Sequence, residues 1–158
     1  MIRVGIGYDS HRFTEDRPLV LGGVTIPHER GLQGHSDADA VAHALIDAML
    51  GAAAAGDIGQ LFPDDDPRWK DANSMELLSS AQSVVRDRGY ALAHADLTII
   101  TEQPRLRTHL PAMAASLTRR LGTQPDAVSL KAKSNEGMGF IGRGEGIAVI
   151  AIATLEAR

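Results

Sequence analysis

The first pattern along the chain is an alternation from Ile2 to Phe13, with an apolar or aromatic side chain at every second position up to Tyr8. Alternation with a period of two predicts a β-strand, because successive side chains of a strand point to opposite faces. One face comprises Ile2, Val4, Ile6 and Tyr8, and the other comprises Arg3, Gly5, Gly7, Asp9 and His11. Between Arg3 and Asp9 the second face is therefore bare of large side chains.

The segment HSDADAVAHALIDAMLG predicts a helix over about residues 37–50. We expect Ser36 to cap its N-terminus, with Asp39 three residues later, and Gly51 to follow its last residue. An inward-facing stripe is formed by Val41, Leu45, Ala48 and Met49, and another face by Asp39, His43 and Asp47. The second face places a histidine among carboxylates.

The remaining periodic segments predict further helices and strands in one domain that spans residues 1–158. Helices are expected over about 74–88 and 108–121, and a hairpin around Gly22 and Gly23. Strands are expected in HADLTIIT, AVSLKAK and IAVIAIATL. The last of these is apolar on both faces, which is typical of a strand buried on two sides, one of which could be a neighbouring subunit. The segments AAAAGDIGQLFPDDDPRWKDANS and NEGMGFIGRGEG lack a period and are expected to be connections.

Composition limits the possible chemistry. The formal net charge of −4 argues against general nucleic-acid binding, and no apolar run is long enough to span a bilayer. The start of the chain lacks the order of a signal peptide, so we expect a soluble, cytoplasmic protein. With six histidines and no cysteine, any metal site must use His, Asp and Glu.

Asp9 and His11 are the first candidates for such a site. Residues at positions i and i+2 of a strand point the same way, so both side chains can reach one point. A catalytic zinc site takes three protein ligands and leaves one position open, and His43 is the candidate third ligand. The alternative is that Asp9 and His11 only form a local hydrogen bond, since a D-x-H motif alone is weak.

Two further groups of residues lie near these ligands in the sequence. His35 and Ser36 precede the helix that carries His43, where backbone N–H groups can bind an anion, although His35 could simply flank the helix cap. Asp57, Gly59 and Asp64 lie on the acidic connection. The carboxylates of Asp57 and Asp64 could bind sugar hydroxyls or a hard cation such as Mg²⁺, or the connection could merely be solvated.

The segment KAKSNEGMGFIGRGEG combines cations, a hydroxyl and flexible glycines. Lys131, Lys133, Ser134, Glu136 and Arg143 all lie within it. Ammonium and hydroxyl groups in one loop favour a phosphate or diphosphate ligand. The segment lacks the order of a Walker loop, and GIGYDS is not a dinucleotide fingerprint, so neither ATP hydrolysis nor NAD chemistry is supported.

Several segments together carry a family resemblance. They are GYDSHRF, PLVLGGVTIP, GLQGHSDADAVAHALIDAMLGAAAAGDIGQLFPDDDP, LTIITEQPRL and GMGFIGRGEGIA. Over nearly the whole chain they resemble the 2-C-methyl-D-erythritol 2,4-cyclodiphosphate synthases. The resemblance implies an α+β domain with a mixed β-sheet covered by helices on one face. It also implies a homotrimer with its sheets packed around the threefold axis and its active sites between subunits.

The resemblance implies an enzyme of the non-mevalonate isoprenoid pathway, a phosphorus–oxygen lyase. Its substrate would be 4-diphosphocytidyl-2-C-methyl-D-erythritol 2-phosphate, and its products 2-C-methyl-D-erythritol 2,4-cyclodiphosphate and CMP. It also implies one zinc ion per subunit on Asp9, His11 and His43. A magnesium or manganese ion would bridge the diphosphate of the substrate.

By resemblance, His35 and Ser134 are the catalytic residues. Substrate contacts are implied for Asp9, His11, His35, Ser36, Asp57, Gly59, Asp64, Thr101, Arg105, Leu106, Ala132, Lys133, Ser134, Glu136, Phe140 and Arg143. Cytidine would be held by residues 101–106 and 132–134 of an adjacent subunit. Phe140, Arg143 and Glu145 would line a central cavity that could hold an isoprenoid diphosphate.

The chain departs from the family pattern in one loop. KAKSNE stands where many members have KATTTE, so Lys133 and Asn135 replace threonines, and Arg105 stands where lysine is frequent. Two alternative functions remain open from the sequence. One is a metal-dependent hydrolase of phosphate esters, and the other is a non-catalytic trimer that binds isoprenoid diphosphates through Arg143.

Overall fold

A five-stranded mixed sheet organises the computed structural model, which describes all residues from 1 to 158. The strands are β1 (Ile2–Thr14), β2 (Leu19–Leu21), β3 (Val24–Ile26), β4 (Gly31–Leu32), β5 (Tyr90–Ile100), β6 (Val128–Lys133) and β7 (Gly146–Ala157). The sheet order is β4-β1-β7-β5-β6, in which only the β5–β6 pair is parallel. β2 and β3 form a separate hairpin that turns at Gly22 and Gly23, both with positive φ. The predicted strands and hairpin are confirmed.

The helices are α1 (Ala40–Ala52), α2 (Ile58–Leu61), α3 (Ser74–Asp87), α4 (Leu110–Leu121) and α5 (Gly139–Gly142). The predictions for α3 and α4 are confirmed, with a short 3₁₀ turn, Arg107–His109, preceding α4. The two segments expected to be connections contain the four-residue helices α2 and α5, which are too short to produce a period. No helix has both the length and the apolar character needed to cross a bilayer.

The predicted start and end of α1 were wrong. Ala38 has a φ of 58°, so a right-handed helix cannot include it, and α1 begins after Asp39 rather than after Ser36. The Asp39 carboxylate accepts the Ala42 N–H at 3.0 Å and is the true N-cap. Gly51 lies inside the helix, which ends at Ala52.

Helix α1 packs directly on the bare face of β1. Cβ atoms added at Gly5 and Gly7 would overlap the backbone carbonyl oxygens of Ala48 and Ala44. The glycines of the strand and the alanines of the helix therefore allow the two backbones to approach closely. Most of α1 is buried, because it lies between the sheet and α3.

The opposite face of the sheet is apolar and exposed. Ile2 and Ile6 on β1 are 72% and 69% exposed, and Ile150 and Ile152 on β7 are 37% and 43% exposed. In contrast, Ile147, Val149, Ala151, Ala153 and Leu155 of β7 are buried. Within one chain, β7 is thus covered on one side only, although its sequence predicts burial on two.

The contact between β1 and α1 predicts opposite effects of two glycine substitutions. Gly7→Ala should lower the free energy of unfolding by at least about 1–3 kcal/mol, because the methyl group has no space without separating helix and sheet. Gly51→Ala, at an exposed helical position with nothing within 4 Å, should raise it by up to about 1 kcal/mol. Denaturant unfolding measures both, and equal stability of the two variants would contradict the packing described.

Candidate metal centre

Three side chains from two elements converge at one point beside the sheet. Asp9 and His11 extend from β1 and His43 from α1. Oδ2 of Asp9 lies 2.8 Å from Nε2 of His11 and 3.3 Å from Nδ1 of His43, and the two nitrogens lie 3.3 Å apart. The predicted grouping of these residues is confirmed, and they form a possible metal-binding site.

Two of the three distances between these ligand atoms, 3.3 Å each, match a small tetrahedral cation, and the third, between Asp9 and His11, is shorter. Atoms bound to zinc at about 2.0–2.1 Å with tetrahedral angles lie about 3.3 Å from one another. Asp9 Oδ2 is also a buried oxygen toward which no N–H or O–H donor points with hydrogen-bond geometry. Burying a hydrogen-bond acceptor without a donor destabilises the folded chain unless a cation or a proton binds to it. The three residues therefore fit a metal ion.

Asp9 and His11 each stabilise the charged form of the other. Burial alone would raise the pKa of Asp9, but the neighbouring His11 and His43 hold it below its usual value. Burial alone would lower the pKa of His11, but the Asp9 carboxylate raises it above its usual value.

Each imidazole ring also has a polar partner at the ring nitrogen that faces away from Asp9. Nδ1 of His11 lies 2.7 Å from the backbone oxygen of Gln33. Nε2 of His43 lies 2.8 Å from the Ser74 hydroxyl and 3.1 Å from the Ser36 hydroxyl. Such partners orient the ring of a metal-binding histidine.

Asp39 and Asp47 support the site from the same helix. The buried Asp39 carboxylate accepts the N–H groups of Gly22 and Gly23 at 2.8 and 2.7 Å, which ties the hairpin to the start of α1. Burial raises its pKa. Asp47 accepts the N–H of Ile58 at 2.7 Å and so ties the acidic connection to α1. Burial, reinforced by the charges of nearby acids, raises the pKa of Asp47.

A pocket of about 200 Å³ opens over the three ligands. Its lining brings the ligands together with His35, Ser36, Gly59 and Asp64, four of the residues predicted to bind substrate. Asp57 does not line it, because its carboxylate caps α2 through the Gln60 N–H at 2.9 Å. The pocket wall is completed by Gly34, Ile58, Phe62, Trp69 and Leu77.

Arg17 was missed by the sequence reasoning. Its guanidinium donates to the backbone oxygens of Gly34 and Ser36, at 2.8 and 2.5 Å, and so holds the segment that carries His35. No local pattern marks this role, since both acceptors are backbone atoms of a distant segment.

A second pocket, of about 660 Å³, lies where the parallel strands β5 and β6 end. It is lined by Thr101–Thr108 and Ala132–Ser134, so it unites the predicted residues Thr101, Arg105, Leu106, Ala132, Lys133 and Ser134. Glu102, which lies in the predicted range 101–106 but was not singled out, accepts the N–H groups of Asn135 and Gly137 at 2.9 and 3.2 Å and holds the KAKSNE loop. The second pocket shares no residue with the metal pocket.

The remaining predicted residues lie elsewhere. Phe140 and Glu145 line a third cavity of about 190 Å³ with Ser10, His11, Arg12 and Gly146. Arg143 is exposed and pairs with Glu145 at 2.9 Å. Glu136 is exposed and accepts the Ser134 hydroxyl at 3.3 Å. Apart from Asp57, Glu136 and Arg143, the predicted substrate residues therefore line three pockets, of which the third adjoins the metal pocket at His11.

The sequence is similar to one family over nearly its full length. The model of the YgbB family matches residues 2–156. The 2-C-methyl-D-erythritol 2,4-cyclodiphosphate synthase of Salinibacter ruber is 52% identical over 155 residues, which cover 98% of this chain and 99% of the relative. The synthase of the same name from Geobacillus kaustophilus is 51% identical over 156 residues, covering 99% of both chains.

Solved structures show the same similarity. The bifunctional IspDF of Campylobacter jejuni superposes with a TM-score of 0.97 at 44% identity, covering 100% of this chain but only 43% of that longer chain. A 2C-methyl-D-erythritol-2,4-cyclodiphosphate synthase in its CDP-bound form has a TM-score of 0.89 at 41% identity. That match covers 98% of this chain and 100% of the other.

The metal centre predicts binding of one divalent ion per chain. Calorimetric titration of the metal-free protein with Zn²⁺ should give a stoichiometry near one. His11→Ala should weaken binding by at least about a hundredfold, since it removes a ligand rather than a supporting partner. His94→Ala, at an exposed position of β5, is the control and should bind as the unmodified chain does. Unchanged affinity in His11→Ala would refute the assigned site.

Proposed function

The chain belongs to the YgbB family, and from this premise we propose that it forms 2-C-methyl-D-erythritol 2,4-cyclodiphosphate and CMP from 4-diphosphocytidyl-2-C-methyl-D-erythritol 2-phosphate. It is therefore a CMP-releasing phosphorus–oxygen lyase of the non-mevalonate isoprenoid pathway. The observation that carries the proposal is the convergence of Asp9, His11 and His43 in a pocket beside His35 and Ser36.

In this reaction an oxygen of the 2-phosphate forms a bond to the β-phosphorus of the diphosphate. The bond between the β-phosphorus and the oxygen that bridges to the α-phosphorus breaks, and that oxygen leaves with CMP. Phosphoryl transfer asks little covalent chemistry of a protein. The task of the residues is to hold two anions close together and to stabilise charge on the phosphoryl oxygens.

We propose zinc as the ion bound by Asp9, His11 and His43, one per chain. Two imidazole nitrogens and one carboxylate oxygen are a donor set typical of catalytic zinc, with one position left for substrate. When bound, such an ion supplies Lewis acidity and orientation for a phosphate oxygen. A second ion, magnesium or manganese on the diphosphate, stays a prediction.

His35 and Ser134 are the proposed catalytic residues at the phosphates. His35 lines the metal pocket, whereas Ser134 lines the second pocket, which shares no residue with it. We propose that both contact one substrate where the metal pocket of one chain meets the second pocket of another. Asp64 and Gly59 are proposed to contact the erythritol part from the metal pocket, and Asp57 from the capped end of α2.

The second pocket is proposed to hold the cytidine end of the substrate. Support comes from the similar synthase whose structure contains CDP and from the basic groups at Arg105 and Lys133. The rigid loop held by Glu102 would present backbone N–H and C=O groups to the base. Arg105 would offer a planar guanidinium group with several N–H donors, whereas the lysine that is frequent at this position would offer a single ammonium group.

We propose a homotrimer in which the exposed apolar sheet faces pack around a threefold axis. Ile2, Val4, Ile6 and Tyr8 present an uncovered apolar face that is unusual for an isolated chain. Residues of the third cavity, with Phe140, Arg143 and Glu145, would then face the axis, where an isoprenoid diphosphate is a proposed ligand. The expected cytoplasmic location stays a prediction.

Turnover of the cytidyl substrate with Zn²⁺ and Mg²⁺ tests the reaction. The products should be CMP and the cyclic diphosphate in equal amounts, without solvent oxygen in the product. His43→Ala should reduce turnover by at least about a hundredfold while remaining folded. An open-chain product labelled from solvent would instead indicate a hydrolase. Tight isoprenoid diphosphate binding without turnover would indicate a non-catalytic binding protein.

A charge on the exposed sheet face should separate the subunits. Burying an isoleucine side chain contributes about 1.5–3 kcal/mol, so Ile6→Lys should replace that gain with the cost of burying an ammonium group. Native mass spectrometry should show trimers for the unmodified chain and monomers for Ile6→Lys, which should also lack turnover. Ala115→Lys, on the exposed side of α4, is the matched control and should remain trimeric. Trimers of Ile6→Lys at equal abundance would contradict the proposed interface.

A further inference from the structure

A hydrogen-bonded chain runs from the metal centre away from the open pocket. Nε2 of His43 lies 2.8 Å from the hydroxyl of Ser74, and that hydroxyl donates to Oδ1 of Asp37. Ser74 is fully buried at the start of α3. The chain therefore links His43 to a carboxylate that none of the proposed roles uses.

The Asp37 carboxylate is fixed as an acceptor by backbone contacts. Its Oδ1 also accepts the Asp39 N–H at 3.2 Å, and its Oδ2 accepts the Ser74 N–H at 3.1 Å. The Asp37 N–H itself donates to the carbonyl oxygen of Ala72 at 3.0 Å. With both oxygens occupied by donors, the carboxylate can neither turn away from Ser74 nor donate to it.

The position of each proton follows from these contacts. A serine hydroxyl has one proton, and in this arrangement Ser74 gives it to Asp37. Towards His43, Ser74 can then only accept, so the ring proton of the neutral imidazole must be on Nε2. Nδ1, which points at Asp9 and His11, is left with a free lone pair.

Ser36 is compatible with the same arrangement. Its hydroxyl oxygen accepts the Ala38 N–H at 3.2 Å and lies 3.1 Å from Nε2 of His43. Its own proton can be donated to the Ser74 oxygen, 3.4 Å away, so that Ser36 also accepts from Nε2. The Gln33 carbonyl oxygen can only accept a hydrogen bond, so in the neutral ring of His11 the proton is on Nδ1 and Nε2 is free. The two rings thus present one free nitrogen each to the same point.

We infer that Asp37, acting through Ser74, is a positioning residue that keeps the proton of His43 on Nε2 and so makes Nδ1 available to a metal ion. An amide at position 37 can donate to the Ser74 hydroxyl. Ser74 is then free to donate to Nε2, which moves the ring proton to Nδ1 and blocks the ligand atom. The inference rests on the proposed metal chemistry but not on the proposed reaction, because metal binding can be measured without substrate.

The test is a double-mutant cycle on Zn²⁺ affinity, measured by competition with a chromogenic chelator and no substrate. Asp37→Asn and Ser74→Ala should each weaken binding by about 10–100-fold, the usual effect of losing a partner behind a metal-binding histidine. The double variant should bind no more weakly than the weaker single variant, because the two residues act in series. Ser79→Ala is the matched control on the same helix, since its hydroxyl only contacts the Met75 carbonyl oxygen.

Nitrogen-15 NMR of the metal-free protein gives a second readout that a purely structural role would not change. The ring signals of His43, identified by their loss in His43→Ala, should show a proton on Nε2 in the unmodified chain and on Nδ1 in Asp37→Asn. A proton on Nδ1 of the unmodified chain would overturn the inference even if neither variant folds. Zn²⁺ affinity within twofold of the unmodified chain in Asp37→Asn, or additive losses in the double variant, would also overturn it. Absence of turnover with normal metal binding would count against the proposed function instead.

Discussion

The close approach of α1 to β1 is the constraint on which the site depends. Gly5 and Gly7 leave no side chain between the strand and the helix, so the helix backbone rests on the strand backbone. Only at this distance can His43 reach the two ligands that lie further along the same strand face. The small residues that weaken the strand in isolation thus become the reason that a three-residue metal centre can form.

The packing of the glycine face of β1 against α1 also explains the unusual distribution of apolar residues in the sheet. Because the glycine face of β1 is turned towards the helix, its isoleucines are left on the outside, next to Ile150 and Ile152 of β7. The apolar face is exposed because α1 covers the opposite, glycine-containing face of β1. A broad apolar surface is therefore available for contact with other copies of the chain.

The site is held by contacts between segments that are far apart in the sequence. The Asp39 carboxylate joins the hairpin to the start of α1, and Arg17 holds the backbone on either side of His35. Ser74 joins the start of α3 to His43. Each of these contacts satisfies a buried polar group, so loosening one would leave a donor or acceptor without a partner and would also move a ligand.

The sequence by itself determined most of the elements and the common strand face of Asp9 and His11. The period of two on β1 places Asp9 and His11 on one face, and the absence of cysteine restricts a metal to nitrogen and oxygen ligands. Only the tertiary structure decided that the apolar face of β1 points outwards, because that depends on the backbone separation between strand and helix. It also decided the contact between Asp37 and Ser74, which lie 37 residues apart and meet only where α3 packs against α1. Local periodicity carries no information on such contacts, because it records which face a residue occupies and not which distant segment meets that face.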